Sequence, residues 1–268
     1  MGGGPVTLAA EMSTLEIVGL LASAAAAGLI NAVAGGGTLI TFPTLLLFRT
    51  PPLVANATST FALVIGTFGG VFGYRRQLAA VKPWLWRFVP PSLIGGWAGS
   101  WLLTHTSDRT FSKLVPFLIL FATILFVSQG LIRKLAGARE AGAPVRPGVI
   151  WGAVLFQLAV AVYGGYFGAG IGILMLASLG LIGFADIHET NALKTVLGSL
   201  INVVATVVFI LAGLIEWRKA GIMTVGALVG YFVGSHYAQR IPQARVRQII
   251  TAIGFIIAGV TFYKEFLK

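Results

Sequence analysis

Long apolar runs, separated by short polar or glycine-rich stretches, fill almost the whole chain. The first runs from Leu15 to Ala34, stops at Gly35-Gly36-Gly37, and resumes from Thr38 to Phe48. Leu53 to Tyr74, Trp84 to Thr104 and Phe111 to Ile132 follow. Beyond a basic stretch, Val149 to Phe167 is interrupted by Gly168-Ala169-Gly170-Ile171-Gly172 and resumes from Ile173 to Phe184. Ile187 to Ile215, Ala220 to Ala238 and Val246 to Phe266 complete the chain. About 20 apolar residues in a helix cross a hydrocarbon core of about 30 Å. The pattern therefore predicts an all-α polytopic membrane protein. As one helix, Leu15 to Phe48 would be about 50 Å long, more than one crossing needs. It is expected to be broken at the glycines, or re-entrant there.

Four long segments, the first broken by glycines, thus occur twice, and single residues register at a shift of 134 or 135. Ala34-Gly35-Gly36-Gly37 falls on Gly168-Ala169-Gly170-Ile171, Asn56-Ala57 on Asn191-Ala192, and Thr60 on Thr195. Gly95, Gly99 and Ser100 fall on Gly230, Gly234 and Ser235. This predicts two homologous repeats of about four transmembrane segments: a tail over 1–14, repeat one over 15–134, a basic linker over 135–148, and repeat two over 149–268. Duplicated halves with broken helices are a transporter build, with the site near the midplane between the halves.

Composition excludes the soluble classes. Apolar residues make up 57% and charged residues 10%, against about 25% charged in an ordinary globular chain. The net charge of +11 lies between apolar runs, where cations orient a membrane protein and meet anionic headgroups. It forms no nucleic-acid-binding module. Cys is absent, which removes disulfides and thiolate chemistry, and the three histidines have no metal-ligand spacing. Met1-Gly2-Gly3-Gly4-Pro5 lacks a basic n-region and reads as a tail. For eight crossings, Lys and Arg divide twelve to six in favour of cytoplasmic termini; a re-entrant segment would change that parity.

The glycine breaks carry the first candidate chemistry. A helix resuming after Gly37 or Gly172 directs N–H groups and partial positive charge at the break, which suits an anion; close packing or a kink is the structural alternative. The contributing residues are Gly35, Gly36, Gly37 and Thr38 in one half and Gly168, Gly170 and Gly172 in the other. A polar helix start follows each break: Asn56, Ser59 and Thr60, then Asn191, Lys194 and Thr195. Asn191, Lys194, Gly198 and Asn202 share one helix face, with Asn56, Ser59, Leu63 and Thr67 as a milder equivalent. They fit a cavity wall or interhelical hydrogen bonding. Lys194 sits inside an apolar stretch, where an ammonium costs at least about 2.5–3.5 kcal/mol near the membrane centre. It would neutralise a bound anion, or else snorkel or pair with Asp186 or Glu189. Asn31, Gln157, Tyr163 and Tyr166 are further polar residues of the broken helices. Trp84, Trp86, Trp151 and Trp217 read as interfacial anchors. No nucleophile–base or metal-hydrolase motif is present, so neither an enzyme nor a cofactor is expected.

Asn31-Ala-Val-Ala-Gly-Gly-Gly-Thr-Leu-Ile-Thr-Phe-Pro-Thr-Leu followed by Asn56-Ala-Thr-Ser-Thr resembles the first-repeat signature of the TauE/SafE membrane proteins. Tyr163-Gly-Gly-Tyr-Phe-Gly-Ala-Gly-Ile-Gly followed by Asn191-Ala-Leu-Lys-Thr resembles the second. The likeness spans about residues 14–266. It implies a bacterial inner-membrane transporter of sulfite, sulfonates and related small anions, often outward, with the breaks and the Asn56 and Asn191 helix starts as the site. The expectation is a secondary transporter of a small sulfur-containing anion held between the repeats, with the lipid bilayer as its other partner; a homodimer is compatible with it. A passive anion channel and a carrier of another small anion, such as a carboxylate, are the alternatives.

Overall fold

Only helices, and no strands, occur among the described residues of the computed structural model, which are 12–33, 36–73, 78–136, 147–180, 187–237 and 243–267. Five precede residues 137–146: α1 Thr14–Val33, α2 Thr38–Leu47, α3 Pro52–Gly73, α4 Leu78–Thr104 and α5 Asp108–Ala136. Five follow: α6 Pro147–Tyr166, α7 Ile171–Gly180, α8 Ile187–Leu211, α9 Trp217–Tyr237 and α10 Gln243–Phe262, which ends in a π turn over Tyr263–Leu267. Local chemistry sets the boundaries. Ser13 caps α1 by accepting the Glu16 N–H (3.2 Å), and prolines open α3 and α6 where a missing N–H does no harm. Five described stretches are long and apolar enough to cross a membrane: Thr14–Ala32, Asp108–Ser128, Pro147–Tyr166, Glu189–Leu211 and Gln248–Leu267.

Helix direction settles how the first broken segment runs. Gly37 lies against the Ala27 carbonyl, and the Phe48 ring lies against Gly19. The chain therefore reverses at the break, and α2 runs back along α1 to the end of the bundle where α1 began. Arg49 makes the exit with φ 58, while the Arg49 and Thr50 N–H groups close onto the Leu46 and Leu45 carbonyls. The segment is re-entrant, not a bent crossing.

Close backbone approach joins the two sets of helices. α9 runs parallel to α1, with Gly226, Gly230 and Gly234 against Leu21, Ala25 and Leu29. α4 runs parallel to α6, with Gly95 and Gly99 against Leu158 and Val162. α5 and α10 are antiparallel, pairing Phe117 with Phe262 (4.8 Å between ring centroids) and Thr123 with Gly254. Small residues permit such contact where lipid supplies no hydrophobic drive between helices. Large side chains such as Phe232, Trp97 and Ile256 point outward, as lipid contact allows. Trp86, Trp151 and Trp217 are exposed as an interfacial role requires. Trp84 differs: it is half-buried beside Phe88, with the Arg87 guanidinium 5.0 Å from its ring.

One ion pair ties the hairpin to α9. The Lys219 ammonium meets Glu16 Oε1 at 2.8 Å and donates to the Phe48 carbonyl (3.0 Å) and to Thr50 Oγ1 (3.1 Å). All three of its N–H bonds are used, on partners in α1 and the α2–α3 connection. Lys219→Met is expected to lower thermal stability in detergent by about 1–3 kcal/mol, because it strands three acceptors on two segments. Glu16→Gln, which keeps a hydrogen-bond acceptor, is expected to cost less. An unchanged melting temperature for Lys219→Met would show that the tie contributes nothing.

Candidate functional site

Each break is held open by a side chain reaching across it. In the first half, Gly36 takes φ +96, and a Cβ there would lie inside the Phe126 ring of α5. The Asn31 side chain bridges the gap by accepting the Gly37 N–H at 2.7 Å, and it also bonds Tyr231 of α9. Leu39 donates to the Gly36 carbonyl (3.0 Å), while Ile40 and Thr41 donate to that of Gly37 (2.9 and 3.1 Å). The start of α2, with Thr38 half-buried at its first position, therefore offers an anion fewer N–H groups than its sequence suggests. Gly35 and Asp186 lie outside the described residues.

In the second half, the Phe167 and Gly168 N–H groups both close onto the Tyr163 carbonyl (2.9 and 3.2 Å). Gly168 and Gly170 then take φ +79 and +80, which carries the chain out of the helical path. The Tyr163 hydroxyl spans this gap, donating to the Ala169 carbonyl at 2.7 Å. The Ile173 N–H returns to the Gly170 carbonyl (3.0 Å) as α7 begins.

The two breaks meet. Phe167 packs edge-on against Phe42 of α2 (5.4 Å between centroids), and Phe111 of α5 joins both. The Asn56 amide donates to the Tyr166 carbonyl at 3.1 Å, so α3 caps the end of α6 across 110 residues of sequence. α5 backs both breaks, Phe126 behind Gly36 and Ala122 and Leu125 behind Gly170.

The polar helix starts differ in how their hydrogens are used. Half-buried Thr60 donates through Oγ1 to the Asn56 carbonyl (2.9 Å), and Ser59 Oγ pairs with Thr41 Oγ1 of α2 at 2.6 Å, where Ser59 and Thr41 are fully buried. In the other half, the α8 face is turned to the second break. Lys194 Cδ is 3.6 Å from the Cβ position of Gly172, Gly198 lies by Met175, and Asn202 lies by Gly168. Asn191, Lys194 and Thr195 are half-buried. Gln157 is a packing residue instead, donating to Ser92 Oγ at 2.9 Å within the buried α4–α6 seam. Thr41, Phe42 and the α5 wall were not flagged by sequence: a lone Thr in an apolar run and an apolar α5 give no signal before their partners are known.

Two broken helices that meet inside an apolar helical bundle, with the Lys194 side chain packed beside one break, fit a helical membrane transporter. The chain belongs to the TauE/SafE family: residues 20–261 match the family model described as "Sulfite exporter TauE/SafE". It is 26% identical over 255 residues to a "Probable membrane transporter protein" of Haemophilus influenzae, covering 95% of both chains. With "Probable membrane transporter protein ORF9" of Sinorhizobium sp it shares 29% identity over 242 residues, 89% of each chain. The Escherichia coli K12 protein "Probable membrane transporter protein YfcA" is 25% identical over 242 residues, 88% of this chain and 86% of its own. No solved structure matches the chain.

Proposed function

We propose that the protein is a secondary transporter that exports a small sulfur-containing anion, sulfite or an organosulfonate, from a site between the two halves. The observation that carries this reading is the contact of the two breaks through Phe42 and Phe167, beside the Lys194 face of α8. The anion sits at the second break. Lys194 supplies the charge, Asn191 and Thr195 add hydrogen bonds from the same helix start, and the backbone at Gly170 and Gly172 adds N–H groups. Ser59 and Thr60 have their hydroxyl hydrogens committed within the first half, and Asn56 joins the two halves through its bond to Tyr166.

The halves are a duplicated and inverted pair in this reading. α1 with α9 and α4 with α6 are equivalent seams under the sequence shift, and a returning α2 leaves an odd number of full crossings per half. Apart from Lys194, eleven Lys and Arg then fall on the side of the linker and seven on the side of the termini. Positive-inside places the linker in the cytoplasm and the termini outside the inner membrane, the reverse of the eight-crossing expectation. One half rocking against the other gives alternating access.

The test is counterflow in proteoliposomes. Preloading with unlabelled sulfite or an organosulfonate is expected to drive transient accumulation of the labelled anion, with saturating rates. Flux without saturation or counterflow would mean a channel, and counterflow with carboxylates alone would replace the substrate class.

A further inference from the structure

The polar cluster at the first break carries buried acceptor oxygen that the described residues leave unpaired. Thr41 Oγ1 is bonded both to the Gly37 carbonyl (3.2 Å), which only accepts, and to Ser59 Oγ (2.6 Å). The Thr41 proton therefore goes to Gly37, and the Ser59 proton goes to Thr41. The Asn56 amide nitrogen is bonded to Tyr166. That leaves Asn56 Oδ1, in a residue 1% exposed, without a hydrogen-bond partner among the described residues. A buried amide oxygen is not left unpaired without cost. Asn56 and Ser59 stand three residues apart on one face of α3, one bonded to the second break and the other to α2. Lone pairs of all three oxygens remain for a ligand, and neither α2 nor α3 contains an acidic residue.

We propose that Asn56 Oδ1, Ser59 Oγ and Thr41 Oγ1 bind a sodium ion, the coupling ion of the transport cycle. Neutral hydroxyl and amide oxygens beside an unwound helix suit a hard monovalent cation, whereas a divalent ion would call for carboxylates. The close Thr41–Ser59 pair favours the smaller of the common monovalent ions. The second half supplies a comparison. The shift of 135 that lays Asn56 on Asn191 and Thr60 on Thr195 lays Ser59 on Lys194. One half carries a lysine at this helix position; the other has a hydroxyl and takes its positive charge from solution. The ion's role in coupling rests on the transporter reading, but its binding does not.

The experiment titrates purified protein with sodium chloride against potassium and choline chloride at constant chloride and ionic strength, with no substrate anion, and reads thermal stability. A ligand of the folded state raises stability as its concentration passes the dissociation constant. Saturable stabilisation by sodium, with little from potassium and none from choline, is expected. Ser59→Ala and Thr41→Val should each raise the half-saturating sodium concentration about tenfold or more, the size of one lost contact to a charge. Ser59→Lys, which copies the second half, should remove the sodium response altogether. Equal melting curves in the three salts, equal effects of sodium and potassium, or an undiminished sodium response in both Ser59→Ala and Thr41→Val would overturn the proposal. None of those outcomes touches the anion reading, which is tested through Lys194 with sodium held constant.

Discussion

Gly36→Ala is expected to abolish the folded transporter or leave it severely destabilised. The φ of +96 costs an L-residue about 1–2 kcal/mol. The new methyl would also lie within the ring of Phe126, which is 1% exposed, and overpacking of that kind costs about 1–3 kcal/mol. Together these amount to about 2–5 kcal/mol, a large part of an ordinary folding free energy. The check is folded yield and melting temperature in detergent. Gly148→Ala and Gly259→Ala serve as controls: nothing lies within 4 Å of a Cβ at either site, so each should change stability by no more than about 0.5 kcal/mol. Gly36→Ala/Phe126→Leu should recover part of the loss, since it removes the clash and leaves the strained φ. A Gly36→Ala protein as stable as the controls would mean that the hairpin reverses differently.

The second large effect falls on binding. Lys194→Gln is expected to weaken substrate-anion affinity by about 1.5–3 kcal/mol, the worth of hydrogen bonds to a charged group, or roughly 10–150-fold in Kd. Lys194→Arg keeps the charge and should recover most of that affinity, whereas Lys194→Glu should remove binding through like-charge repulsion. A packing role would give a different pattern, with Gln tolerated better than the bulkier Arg and no dependence on charge. The half-saturation constant for transport, measured at fixed sodium, separates the two.

Much of this arrangement was legible in the chain because it is local. The glycine runs marked both breaks, and the spacing of Lys194, Gly198 and Asn202 marked the α8 face that meets the second one. The polar starts at Asn56 and Ser59 were equally visible. Their roles were not, because a role depends on the partner. The Asn56 amide nitrogen is bonded to a carbonyl 110 residues away, and the Ser59 hydroxyl to Thr41 of another helix. Apolar periodicity carries no sign for direction either, so the return of α2 emerges only from distant contacts: Phe48 on Gly19, and Lys219 on Glu16 and Thr50. α5 stayed anonymous for the same reason. Its Ala122, Leu125 and Phe126 are ordinary apolar residues until two broken helices are laid against them.

Sulfite titration of the wild-type protein and Lys194→Gln, followed by thermal stability at matched ionic strength with sodium constant, tests the central claim most directly. If the anion is held by Lys194 beside the joined breaks, sulfite should raise the wild-type melting temperature saturably, by about 2.7 kcal/mol of stability at a hundredfold excess over Kd. Phosphate and small carboxylates should do much less, and Lys194→Gln should need about 10–150 times more sulfite for the same shift. An identical sulfite response in the two proteins, or stabilisation of the wild type by carboxylates and not by any sulfur oxyanion, would contradict the account.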